Sequence, residues 1–336
     1  MTAATRRLAA AAMLRWALAA AAVAAAMSVS MGAQPSIPVT APFDVIGFIQ
    51  SATIDNPNDL FSGGTITVNN IRMTVPRNTL LQFPATAMTW QEAFALAPAP
   101  YTKLQTGMAM NDVPRPATTY EVHAVGNRVG GQHIVGLLFL SQQSLHSGQG
   151  FITAIDYATG EMRVGGATGN VGLDARVRIN DPIGRFGRAF SPDVRFTIDE
   201  DNPTIHTVNF YPQCLPRTNP ASADDPLCPQ KNRPKDSTGK FLTMFSMPAP
   251  GGTTGPDARL MAPFEVGDFI TYSGIQVEDG NGPYIAAHTI QSNMTILTAP
   301  GTQPAYVGMN VLIMGVSTKA GAPAGTEGAV RTRVEG

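Results

Sequence analysis

The densest run of chemically capable residues is Ile179-Asn-Asp-Pro-Ile-Gly-Arg-Phe-Gly-Arg188, continued by Ser191-Pro-Asp-Val-Arg-Phe-Thr-Ile-Asp-Glu-Asp-Asn-Pro203. It gathers the acids Asp181, Asp193, Asp199, Glu200 and Asp201 beside Arg185, Arg188 and Arg195. Three readings fit it. Asp–Arg pairs and Asx turns would lock an irregular segment. Asp199 and Asp201 offer oxygen ligands of the kind Ca²⁺ takes together with backbone carbonyls, without the loop of an EF-hand. A pair of carboxyls across a cleft would serve glycoside hydrolysis. Asp181, Arg185, Asp193 and Arg195 are the candidate ligand-binding residues, and no residue is assigned as catalytic. Phe186, Phe190, Phe196, Phe210 and Tyr211 lie in and around the same run. They either fill a core beneath it or stack on sugars or bases.

Motifs that would specify a reaction are missing. The chain has no Gly-x-Ser-x-Gly elbow, no phosphate-binding Gly loop, no His-Glu-x-x-His and no Cys-x-x-Cys. Its five histidines, His123, His133, His146, His206 and His288, are scattered. They read as structural side chains rather than a zinc site, and no cofactor is expected.

Cys214 and Cys228 are the only cysteines. Two thiols without a nearby His pair supply too few soft ligands for a metal. In an exported protein such a pair forms a disulfide. Closing a loop of this length contributes about 3 kcal/mol in the chain-entropy account. The segment it closes is rich in Pro and Asp and poor in apolar residues, so packing alone would not give it one shape.

Export is read from the N-terminus. Arg6, Arg7 and Arg15 precede an apolar, Ala-rich run from Ala17 to Met27, and small residues follow to Ala33. That is the layout of a secretory signal peptide over residues 1–33, too short in its apolar part to be a membrane anchor. Removing it takes away three Arg and no acid, which moves the net charge from −1 to −4. No later apolar run is long enough to span a membrane. Charged residues make up 14%, against roughly 25% in an average protein, and 33 Gly and 27 Pro punctuate the chain. A coiled coil, a charged disordered tail and a phosphate-tracking nucleic-acid binder are all excluded by that balance, the last by a total of five Lys.

The elements that must position these residues form a weak internal repeat. The first copy runs Phe43-Asp-Val-Ile-Gly-Phe-Ile-Gln-Ser-Ala-Thr-Ile-Asp55, then Thr65-Ile-Thr-Val-Asn-Asn-Ile-Arg-Met-Thr-Val-Pro76. Period-2 alternation around Asn69-Asn70 predicts a hairpin. Thr89-Trp-Gln-Glu92 is a capping box opening a short helix, with Trp90 and Phe94 on one face and Pro98 and Pro100 beyond. Thr119 to Gly126 and His133 to Ser141, joined by Gly130-Gly131, predict two further strands. The second copy repeats Gly-Phe-Ile at Gly150, then Glu161 to Gly165, Ala175 to Asp181, Val266 to Gly274 and Tyr284 to Gln291. Five short strands with a helix between the third and fourth is the order of an OB-fold.

Gly150-Phe-Ile-Thr-Ala-Ile-Asp156, Thr65-Ile-Thr-Val-Asn-Asn70 and Gly267-Asp-Phe-Ile-Thr-Tyr-Ser-Gly274 also carry a family likeness. The chain resembles secreted bacterial and fungal proteins of unknown function built from tandem small OB-like domains. The resemblance implies the fold and export, and it brings no catalytic residues.

The expected fold is all-β: two tandem OB-like five-stranded barrels, the second with a long disulfide-stapled insertion. The bounds are a signal peptide at 1–33, one module at 41–146 and a second at 147–296 with its insertion at 182–263. Residues 297–336 are expected to hold C-terminal strands and a mobile tail. An insertion of this length must hold structure, be stapled or form a lid. The expected function is a secreted, periplasmic or extracellular, non-catalytic binding or structural protein. Its expected partner is a carbohydrate or another envelope or matrix component, with no nucleic acid and no transmembrane segment. The alternatives are a secreted polysaccharide hydrolase using the acids of 181–201, and self-association through an edge strand at Val307–Met314.

Overall fold

A computed structural model describes residues 40–140, 146–166, 174–200, 203–248 and 255–299, and the strand backbone of 308–316 and 327–335. The signal peptide read over 1–33, Asp201 and residues 317–326 of the expected tail lie outside the described residues.

The first half is a closed five-stranded barrel. Strands β1 (Thr40–Ile54), β2 (Gly64–Val68) and β3 (Ile71–Val75) form an antiparallel meander. Its β2–β3 turn is Asn69-Asn70, with φ of 51° and 61°. Two successive left-handed residues give the turn whose twist matches a hairpin, and Asn tolerates that region better than other residues with a side chain. Further along lie β4 (Leu80–Gln82), β5 (Ala87–Thr89), helix α1 (Trp90–Ala95), β6 (Glu121–Val129) and β7 (Gln132–Leu140). β6 pairs with β1 and with β7, and β7 closes the ring by parallel pairing with β3 at Met73↔His133 and Thr74↔Ile134. β4 and β5 extend the sheet beyond β7. Strands of three residues are too short to show alternation, and only tertiary pairing reveals them.

The capping box forms as the spacing predicts. Thr89 Oγ1 accepts the Glu92 N–H at 3.1 Å, and the Glu92 carboxylate accepts the Thr89 N–H at 2.8 Å. Trp90 and Phe94 meet edge to face at 5.4 Å, and the Trp90 indole donates to the Thr53 carbonyl, fixing α1 against β1.

The second sheet repeats that series of pairings. It contains β8 (His146–Asp156), β9 (Glu161–Gly165), β10 (Ala175–Ile179), β15 (Phe269–Asp279) and β16 (Gly282–Ser292). β8 pairs β9, β9 pairs β10, β10 pairs β16 in parallel, β16 pairs β15, and β15 pairs β8. The irregularities coincide as well. β1 shifts register just after Gly47-Phe-Ile49, and β8 shifts just after Gly150-Phe-Ile152. β6 bulges at Val125/Gly126 and β15 at Ser273/Gly274. A Cβ on Gly126 would stand 2.1 Å from the Ile134 carbonyl oxygen, and one on Gly274 would stand 2.2 Å from that of Ala286. Both bulges press backbone on backbone, which only glycine allows.

Between β10 and β15 the insertion is structured by docking rather than by a sheet of its own. β11 (Ile205–Thr207) adds in parallel to the edge of β16. β12 (Gln213–Cys214) pairs with β14 (Ala262–Pro263), and β13 (Met244–Met247) pairs with β17 (Thr295–Thr298). Tyr211, Phe245, Met247, Ala262, Met294 and Ile296 give it a small core. Its first part is committed elsewhere: a 3-10 turn at Val194–Phe196 sends Phe196 into the core of the first barrel, against Phe83 and Tyr120. At the C-terminus β18 (Gly308–Val316) pairs with β19 (Glu327–Glu335), so one edge of the strand read at Val307–Met314 is occupied within the chain.

Candidate ligand-binding surface of the insertion

The four ligand candidates read from the sequence do not converge on one site. Asp181 is fully buried, and its carboxylate accepts the N–H groups of Gly184 at 2.8 Å and Phe186 at 2.6 Å. It shapes the loop that follows β10, as an Asx turn does. Asp193 and Arg195 are also buried and bind each other. Nε and Nη2 of Arg195 donate to the two carboxylate oxygens at 2.9 and 2.7 Å, while Nη1 donates to the carbonyls of Ala93 and Thr106 at 2.6 and 2.7 Å. The carbonyl acceptors belong to the first barrel and its helix connection. The expectation that Asp181, Asp193 and Arg195 contact a ligand is thus corrected: each is turned inward, its hydrogen-bonding groups used by the fold. A fully buried guanidinium keeps its charge only when paired and hydrogen-bonded in this way.

Arg185 behaves differently. It is exposed, and its Nη1 donates to the Glu200 carbonyl at 2.8 Å. It stands at a cavity of about 290 Å³ whose apolar lining includes Phe186, Leu227, Leu260 and Met261, with Arg259 as its second cation. Arg259 is held by Asp257 at 2.7 Å with its side chain largely in solvent. An apolar floor flanked by a few oriented polar groups is the usual anatomy of a small ligand site. Phe186, Phe196 and Tyr211 are core side chains, and of these only Phe186 also reaches the cavity.

Cys214 and Cys228 are joined in a disulfide with both residues buried, as the sequence predicts. Inside the loop it closes, Asp225 accepts from the Arg217 side chain through both oxygens at 2.9 Å and from the Arg217 and Leu227 N–H groups. The staple and this pair fix the wall that carries Leu227.

For the Ca²⁺ candidates, the Asp199 N–H donates to Thr204 Oγ1, and Asp201 lies outside the described residues. Among the described residues no group of three or more His, Cys, Asp or Glu side chains is placed to hold a metal ion. His123 sits on the outer barrel surface with Asp44 at 2.7 Å. His206 and His288 are buried, and desolvation lowers both, His288 to about 4.

Two features escape sequence reading. Arg178, Arg188 and Arg217 line a second concavity beside the β8–β9 turn. The Arg176-Val-Arg178 alternation puts both arginines on the outer face of β10, the one legible hint. Glu265 is the other. Burial pushes its carboxyl up to about 7 against the opposing pull of the Gln230 side chain, and its Oε1 is buried with no hydrogen-bond partner among the described residues. The adjacent Asp268 is bound by Arg233 through two contacts of 2.6 Å, and Glu265 lines neither cavity.

Comparisons with protein-family models, curated proteins and solved structures give no match to this chain.

Proposed function

We propose that the chain is a secreted, non-catalytic binding protein of the cell envelope or extracellular space, made of two OB-like barrels in tandem. The matching pairings, bulges and glycines of the two sheets support duplication of one module. Export is supported by the N-terminal leader pattern and the buried disulfide, and no described helix is long and apolar enough to cross a membrane. The observation that carries the binding reading is the cavity with the Phe186, Leu260 and Met261 floor between Arg185 and Arg259. A carbohydrate suits it, because a sugar offers an apolar ring face and hydroxyls that accept from guanidinium N–H groups.

The rival reading is a polysaccharide hydrolase. It needs two carboxyls facing a cleft, whereas Asp181 and Asp193 are buried and engaged. A glycan array on the purified chain, run beside a glycosidase screen, separates the two. The expected result is capture of a defined glycan set, weakened by Arg185→Ala and Arg259→Ala, with no turnover. Turnover abolished by Asp199→Asn in a folded variant would establish the hydrolase instead.

A further inference from the structure

We infer that the second concavity, between the β8–β9 turn, β10 and the insertion, is an oxyanion site for the sulfate or carboxylate groups of an acidic polysaccharide. This rests on the binding reading above and specifies the charge of the ligand. The cavity measures about 430 Å³ and is lined by Arg178, Arg188, Arg217, Thr159, Ala158 and Ala189, with no carboxylate among them. The three guanidiniums come from three separate pieces of chain: β10, the loop after it, and the disulfide-closed loop.

Each guanidinium is held before any ligand arrives. Arg178 lies 3.7 Å over the Phe190 ring and donates to the Thr159 carbonyl. Arg188 Nε donates to the Tyr157 carbonyl at 2.7 Å. Arg217 is fixed by Asp225 and by the Gly184 carbonyl. Pre-positioned side chains lose little freedom on binding. Only Arg217 has a carboxylate within ion-pair distance among the described residues. Asp156 and Asp279 sense the Arg178 charge, but Asp156 serves Ala158 and Thr159 in the turn, and Asp279 is bound by Arg176. Positive charge is therefore left over at the cavity, and donors as well. The two terminal nitrogens of exposed Arg188 make no hydrogen bond among the described residues. Planar guanidinium forks match the oxygens of a sulfate or carboxylate and bind them through charge-assisted hydrogen bonds.

Affinity electrophoresis of the full chain through gels containing dextran sulfate, polygalacturonate or uncharged dextran tests the assignment. The expected result is retardation by the two acidic polymers, reduced about tenfold in affinity by Arg188→Gln and by less in Arg188→Lys, which keeps charge but loses the fork. Arg188 is exposed, and matched melting curves check that both variants fold. Equal retardation by dextran and dextran sulfate would overturn the oxyanion site while leaving the binding reading in place. Retardation by no glycan in either the gels or the array would remove both. An unchanged affinity in Arg188→Gln would overturn the site. So would binding of inorganic phosphate without acidic glycan, or stronger retardation by a single-stranded oligonucleotide than by dextran sulfate.

Discussion

Arg195 and Ala93 are 102 residues apart in the chain, and the Nη1 of this fully buried arginine lies 2.6 Å from the Ala93 carbonyl oxygen. The insertion of the second half is thereby locked to the helix of the first barrel. Phe196 enters the barrel core beside it, so one short turn supplies both an apolar plug and a charged latch.

Breaking the latch on one side should be costly. Arg195→Met leaves the buried Asp193 carboxylate without its cation, keeping only the backbone N–H of residue 195, which costs about 3–5 kcal/mol. Asp193→Leu combined with Arg195→Met removes the stranded charge and should recover a large part of that loss. Urea unfolding of the single and double variants decides it, and equal losses would show that the pair is not the source.

The matched bulge glycines should respond alike. Gly126→Ala and Gly274→Ala each force a Cβ onto a carbonyl of the neighbouring strand. Overpacking of this kind costs about 1–3 kcal/mol, and Gly136→Ala, whose Cβ would meet only Val125 O at 3.6 Å, should cost much less. Thermal denaturation of the three variants provides the comparison.

Reduction of Cys214–Cys228 should act on the insertion. The staple spans a sequence separation of 14, and freeing such a loop costs about 3 kcal/mol. Hydrogen exchange should rise first over residues 214–228, with the strands of the first barrel protected as before. Uniform loss of protection would show that the disulfide supports both halves.

Stability should depend on pH through two buried groups of opposite sign. Burial raises Glu265 from its ordinary 4.5 to about 7. Its contribution is full below pH 4.5 and is lost as pH rises towards 7. Desolvation lowers His288 from 6.5 to about 4. Its contribution is full above pH 6.5 and is lost as pH falls towards 4. Between pH 4.5 and 6.5 the two slopes oppose each other, so Glu265→Gln, whose amide stays neutral throughout, should unmask the rise of the melting temperature with pH that His288 supplies. A wild-type slope retained in that variant would place the titration elsewhere.

Local signals in the sequence were strong where they carried their own physics. Thr89-x-x-Glu92 satisfies orphan helix N–H groups by itself, and Asn69-Asn70 adopts the turn its side chains tolerate, so helix and hairpin were legible from residues alone. The repeat of Gly-Phe-Ile marked the position of a bulge in both sheets. The site was less legible. The Asp and Arg residues of 181–195 have the same composition whether they face water or each other, and burial, a non-local property, turned three of the four candidates inward. Arg217 is remote in sequence from Arg178 and Arg188, and nothing in the spacing of the three shows that they line one concavity.

By itself the sequence determined a charge-poor chain of short alternating strands and a pair of cysteines able to close one loop. Those depend on local periodicity and chemistry, which neighbouring residues fix. The tertiary structure decided which charges are spent and which are left. Closure of the five-stranded barrel and docking of the insertion bury Asp193 with Arg195 and leave Arg185, Arg188 and Arg259 at the surface. Desolvation and pairing are set by whatever packs around a side chain, and that neighbourhood exists only once the chain has folded.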